Sequence, residues 1–184
     1  MTFLVLIAII AAAVIFGVGI YNSLVKLRNT SEQAWSDVDV QLKRRYDLIP
    51  NLVETVKGYA SHEKETFEKV VQARNQAMQA TSREGKAQAE NFLQSTLKSL
   101  FALSEAYPEL KANVNFLELQ KELSEIEEQI QLARRYYNAV VRDLNTKIES
   151  VPSNFVANWF NFEKKEYFEL DSTEERTTPK VSFG

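Results

Sequence analysis

The sequence predicts an all-α chain in which an N-terminal transmembrane helix is followed by an antiparallel bundle of long helices. Three observations lead there. An almost wholly apolar run extends from Phe3 to Leu24, and no charged side chain occurs before Lys26. Only 5 Gly and 4 Pro occur in 184 residues, too few turn-formers for an all-β fold, whose short strands need turns every few residues. Beyond the apolar run, the remaining apolar residues recur in alternating steps of three and four, the spacing of one helix face.

Residues 1–25 form the expected anchor. At about 1.5 Å per residue, the run from Phe3 to Leu24 reaches roughly the 30 Å of a bilayer's hydrocarbon core. A cleaved signal would carry a basic leader and a shorter apolar core of about 7–15 residues, so a retained anchor is expected. Lys26 and Arg28 follow the run at once, and Lys43, Arg44 and Arg45 lie further on. By the positive-inside rule this places the N-terminus outside and the body in the cytoplasm, with a periplasmic body as the alternative. Ala8/Ala12 and Ala13/Gly17 have the small-xxx-small spacing that permits close helix approach, although short side chains are also common in spans.

Residues 26–168 form the expected helical body, about one domain in size. Its first helix continues from the anchor, since Tyr21 to Ala34 contains no Pro or Gly. The seam Trp35, Val38, Leu42, Arg45 or Tyr46, Ile49, Leu52, Val56, Tyr59 keeps its phase through Pro50. Proline removes a backbone donor and crowds the carbonyl one turn back, at a cost of about 3 kcal/mol. A kinked continuous helix to about residue 80 and two helices broken near Asp47 both fit; the unbroken phase favours the kink. Thr81-Ser82 then Gly85 mark a turn, with either hydroxyl able to cap a second helix over 85–107, whose face is Phe92, Leu93, Thr96, Leu97, Leu100, Phe101 and Leu103. Pro108 separates it from a third helix over 109–150, with the seam Phe116, Leu119, Leu123, Ile126, Ile130, Ala133, Tyr137, Val140, Leu144. A short aromatic helix over 152–168 follows, and the polar residues 169–184 read as a disordered tail.

The run Tyr21-Asn22-Ser23-Leu24-Val25-Lys26-Leu27-Arg28-Asn29 and the block from Ala34-Trp35-Ser36-Asp37-Val38-Asp39 through Lys43-Arg44-Arg45-Tyr46-Asp47-Leu48-Ile49-Pro50-Asn51-Leu52-Val53 to Gly58-Tyr59-Ala60 resemble the LemA family of bacterial membrane proteins. The resemblance continues in His62-Glu63-Lys64, Tyr107-Pro108-Glu109-Leu110-Lys111-Ala112, Phe116-Leu117-Glu118-Leu119-Gln120 and Ala133-Arg134-Arg135-Tyr136-Tyr137-Asn138. It covers nearly the whole chain short of the tail. It implies a membrane anchor carrying a cytoplasmic or periplasmic helical bundle without an agreed biochemical activity. Through the genomic neighbourhood of family members, it also suggests a membrane zinc metalloprotease or a TPM-domain protein as partner.

Read residue by residue, the chemistry is sparse. The net charge of −3, with both signs intermixed, offers no basic footprint for nucleic acid. Without cysteine there is no disulfide, thiolate zinc site or iron–sulfur cluster. His62 is the single imidazole, and Tyr59 occupies the position where a Glu-x-x-His metal motif needs its glutamate. Glutamates spaced three and four apart beside lysines read as a solvated ion-pair face. No catalytic residue, cofactor or metal is therefore expected.

Two features remain as candidate sites. Arg45 falls on the apolar phase, and Arg44-Arg45-Tyr46 is echoed by Arg134-Arg135-Tyr136 on the last long helix. Buried guanidiniums need carboxylates, and Asp37, Asp39 and Asp47 are nearest in sequence; the alternative is that both arginine pairs lie with packed stems and solvated heads. A buried network would fix helix register or form a docking face. The second feature is the aromatic set Phe155, Trp159 and Phe162, which either covers an open end of the bundle or forms a contact surface. The function expected is a membrane-anchored, non-enzymatic scaffold or adaptor acting through protein contacts or homo-oligomerisation. The alternative is an accessory subunit that modulates a membrane metalloprotease or another membrane quality-control enzyme.

Overall fold

The structure, a computed structural model, describes residues 1–169; the tail expected over 169–184 lies outside the described residues, Glu169 apart. Among the described residues six helices follow in order: α1 (Thr2–Lys57), α2 (Lys64–Gln79), α3 (Arg83–Ala106), α4 (Pro108–Lys111), α5 (Val114–Glu149) and α6 (Ser153–Trp159). The fold is all-α, and no strand occurs among the described residues. The chain divides into two compact units. The first joins Met1–Arg45 to Ser124–Tyr167, and the second contains Tyr46–Leu123 and Phe168.

In the first unit, α1 is exposed along its whole apolar beginning, up to Gly19 apart from half-buried Gly17, and becomes buried on one face from Leu24 onward. This apolar segment is long and apolar enough to cross a membrane. The buried stripe Leu24, Ser31, Ala34, Val38, Leu42, Arg45 keeps helical spacing. Trp35 lies half-buried, with its ring 5.3 Å from that of Tyr137 on α5. Ser23 meets Lys147 and Arg45 meets Glu127. Residue numbers rise on α1 as they fall on α5, so the two helices are antiparallel. Leu24, Leu144, Ile148 and Ala157 form a core cluster with Ile20, Leu27, Val156 and Phe162 against it.

The second unit begins as a hairpin. The first helix does not run to residue 80; it ends at Lys57, and Gly58–Glu63 turn the chain into α2. Gly58 is a poor helix residue, and the turn tucks Ala60 into the core while Tyr59, expected on the seam, stays 39% exposed. Phe67, Val70 and Ala73 are buried on α2, a separate amphipathic helix. Tyr46 of α1 meets Arg74 of α2, whereas Lys57 and Lys64 flank the turn, so α2 runs back along α1. Ser82 caps α3, its Oγ accepting from the Gly85 amide at 3.0 Å. Asn113 splits the expected third helix: α4 ends before it, and its Oδ1 accepts from the Phe116 amide at 2.9 Å to cap α5.

The C-terminal aromatic helix is shorter than expected. It ends at Trp159 because Asn161 adopts the left-handed conformation, with φ 54°. The Phe162 amide then reaches the Ala157 carbonyl at 2.9 Å, and the Asn161 amide reaches the Asn158 carbonyl at 3.3 Å, the paired bonds of a Schellman closure. Residues 162–167 form a strap along α5 rather than helix. Asn145 holds the strap at Lys165, donating to its carbonyl and accepting from its amide, each at 2.9 Å. The Tyr137 hydroxyl donates to the Glu166 carbonyl at 2.8 Å.

Candidate functional site

Two buried polar contacts, one in each unit, start from the adjacent residues Arg45 and Tyr46 of α1. In the first unit, α1 carries the Arg45 side chain into the core, where it is 1% exposed and its Nη1 donates to Glu127 Oε1 at 2.6 Å. A guanidinium taken out of water needs a counter-charge in good geometry, and Glu127, 30% exposed on α5, supplies one. Of the seven residues considered as a network, only Arg45 is buried. Asp37, Asp39, Arg44, Asp47 and Arg135 are exposed and Arg134 is half-buried. Arg44 donates to Gln41 one turn back at 3.3 Å. Asp37 instead lines a shallow surface depression with Val40, Gln41, Gln129, Ala133 and Tyr136.

In the second unit, Tyr46 ties three helices together. Its hydroxyl donates to Glu90 on α3, both side chains being buried, and its backbone carbonyl accepts from Arg74 Nε of α2 at 2.7 Å. The second bond explains how α1 continues through Pro50. In a regular helix the Tyr46 carbonyl would accept from the amide four residues on, and that residue is the proline, which has none. Arg74 supplies the missing donor.

Glu127, Glu90 and Arg74 escaped the sequence reading. Glu90 had a legible signal, since Ala87, Glu90, Leu93, Leu97 and Leu100 follow helical steps and place a carboxylate in the apolar phase, as Arg45 is placed on α1. Glu127 had none, being one of several glutamates on α5 and separated from Arg45 by 82 positions.

The aromatic set is divided. Phe162 is half-buried against Tyr21, ring centroids 5.8 Å apart, while Phe155 and Trp159 project outward. His62 is exposed in the α1–α2 turn, and among the described residues no three His, Cys, Asp or Glu side chains are grouped to hold a metal. A groove of ≈ 680 Å³ between the end of α1 and α2 has Val53, Phe67 and Val71 among its apolar lining and Gln72, Asn75 and Gln76 among its polar lining.

The profile described as the LemA family matches residues 34–183. A protein named Protein LemA, from Metamycoplasma hominis, is 28% identical over 76% of this chain and 64% of its own length. Two proteins of Paramagnetospirillum magneticum, Magnetosome protein MamQ 1 and Magnetosome protein MamQ 2, are each 25% identical over 81% of this chain and 64% of their own length. The chain thus spans under two thirds of the length of the curated relatives it matches.

Proposed function

The chain belongs to the LemA family, and on that premise we propose that it is a membrane-anchored, non-enzymatic scaffold that acts through protein contacts, self-association among them. The observation that carries this reading is the unbroken course of α1. One helix of 56 residues leads from a fully apolar, exposed segment into the buried seam of the body. Large apolar side chains along the segment, among them Phe3, Leu4, Ile9, Ile15 and Phe16, are each more than half exposed, and a bilayer is the solvent that accommodates such a surface. Because nothing interrupts the helix, the body's orientation is set by the bilayer. Gly17 and Gly19 have open space where a side chain would stand, which leaves room for a second anchor to approach. The basic residues Lys26 and Arg28 directly after the apolar segment favour a cytoplasmic body.

The test uses the full chain in bacterial membranes. Since the protein has no native cysteine, Ser61→Cys in the exposed α1–α2 turn provides a single reporter. The chain should remain in the membrane pellet after alkaline carbonate washing, and Ser61→Cys should react with an impermeant maleimide only after the inner membrane is opened. Release by carbonate would overturn the anchor, and labelling before opening would reverse the sidedness.

A further inference from the structure

We infer that α6 is a second membrane-contacting element, which lies against α1 within the bilayer and buries Phe155, Trp159 and Phe160 in lipid. This rests on the reading of α1 as a membrane span. The stretch Val151-Pro152-Ser153-Asn154-Phe155-Val156-Ala157-Asn158-Trp159-Phe160-Asn161-Phe162 contains no charge, although Lys147 and Glu149 precede it and Glu163, Lys164 and Lys165 follow it. Val151 is 74% exposed, Phe155 68%, Trp159 81% and Phe160 53%. These exposures are not the fraying of a loose end. The inner face of α6 is fixed by buried Ala157 within the Leu24, Leu144 and Ile148 cluster. It is also held by Ser153 Oγ, whose single proton is shared between the Lys147 carbonyl at 2.6 Å and the Ser150 carbonyl at 2.9 Å. The Phe160 ring is further held against Tyr21, with centroids 4.7 Å apart.

The occupant of the outer face follows from its position along α1. Phe155, Val156, Trp159 and Phe160 line one almost wholly apolar depression with Ile10, Ala13 and Val14 of the apolar segment. Those three residues precede Ile15, Phe16 and Val18, which are exposed by 73%, 61% and 52%. A bilayer surface drawn at the level of Val14 would leave these large apolar side chains in water. A surface drawn beyond them, where charge begins, covers them and α6 alike. From Val14 to Lys26, where charge begins, is about 18 Å along the helix, deeper than the roughly 5–10 Å to which amphipathic interfacial helices sink, so this part of α6 lies inside the hydrocarbon beside α1.

The polar groups of the same unit fall where headgroups would lie. Lys147 reaches Ser23, the Arg28 guanidinium lies 5.3 Å from the centre of the Phe162 ring, and Lys164 pairs with Glu149 at 2.7 Å. Cations beside an aromatic belt are the arrangement that a bilayer interface stabilises. The outer face of α6 is therefore continuous with the lipid-facing surface of α1.

The test reads Trp159 fluorescence in the full chain reconstituted into phosphatidylcholine/phosphatidylglycerol vesicles. The protein has two tryptophans, so Trp35→Phe isolates Trp159 and Trp159→Phe isolates Trp35. Replacing the lipid with acyl-chain-brominated phosphatidylcholine should remove most of the Trp159 emission and leave that of Trp35 nearly unchanged. Wild-type protein should show quenching that disappears in Trp159→Phe, which preserves the test if Trp35→Phe does not fold. A Trp159 quenched by aqueous iodide and insensitive to brominated lipid overturns the inference. So does a blue-shifted Trp159 insensitive to both quenchers, which would place a protein partner or a second copy over α6. In either case carbonate-resistant protein leaves the anchor itself standing, whereas carbonate-released protein removes the anchor and the inference together.

Discussion

Replacing Glu127 with alanine is expected to destabilise the first unit by about 3 kcal/mol, the low end of the range for breaking a buried ion pair, because Glu127 is 30% exposed and water reaches it. The penalty arises less from the lost attraction than from what remains: a guanidinium only 1% exposed that has lost the carboxylate its Nη1 donates to. Removing the charge as well should therefore recover stability. Arg45→Met keeps an unbranched, apolar stem of comparable reach, and replacing a buried pair by packed apolar groups is often close to neutral. Chemical denaturation of Glu127→Ala and of the double variant Arg45→Met/Glu127→Ala should show the double variant as the more stable. Equal or lower stability in the double variant would mean that Arg45 contributes packing or hydrogen bonds that outweigh the cost of its burial.

Arg74→Leu should destabilise the second unit by about 2 kcal/mol, the scale of a hydrogen bond from a charged donor, because it removes the donor that satisfies the Tyr46 carbonyl. The expectation has a specific suppressor. Pro50→Ala restores the amide four residues after Tyr46 and lets the helix satisfy that carbonyl itself. In a Pro50→Ala background, Arg74→Leu should cost less than half as much. Equal costs in the two backgrounds would show that Arg74 stabilises the unit by packing alone, and that the proline in α1 is accommodated in another way. The four-protein cycle, followed by denaturant midpoint, separates these outcomes.

The long helices were legible because their cores are periodic. Val38, Leu42, Ile49, Leu52 and Val56 on α1, and Phe116, Leu123, Ile126, Ile130, Tyr137 and Leu144 on α5, are buried at the spacing read from sequence. The breaks were less legible because they depend on single residues whose effect is tertiary. Gly58 weakens the helix, but the chain turns there because Ala60 finds a place in the core. Asn161 ends α6 by entering the left-handed region, which asparagine tolerates better than most residues, while the following strap finds its hydrogen bonds on Asn145 and Tyr137. Neither partner is local.

The same division runs through the candidate sites. Burial of Arg45 could be read from its phase, a property of one helix. Its pairing with Glu127 depends on the register of α1 against α5, and nearness in sequence pointed instead to the exposed Asp37, Asp39 and Asp47. Pro50 was legible as a strain in an otherwise continuous pattern. That an arginine on the next helix would relieve it required knowing that α2 folds back along α1.

The central claim is that one uninterrupted helix carries the chain from the bilayer into the body. Amide hydrogen exchange of the full chain in lipid nanodiscs, resolved along residues 20–57, tests it most directly, since exchange reports local opening segment by segment. Continuous slow exchange from Leu24 through Leu52, including the residues on either side of Pro50, is the expected result. A rapidly exchanging stretch between Lys26 and Gln33, flanked by protected segments, would contradict it by showing a flexible tether where a rigid rod is required.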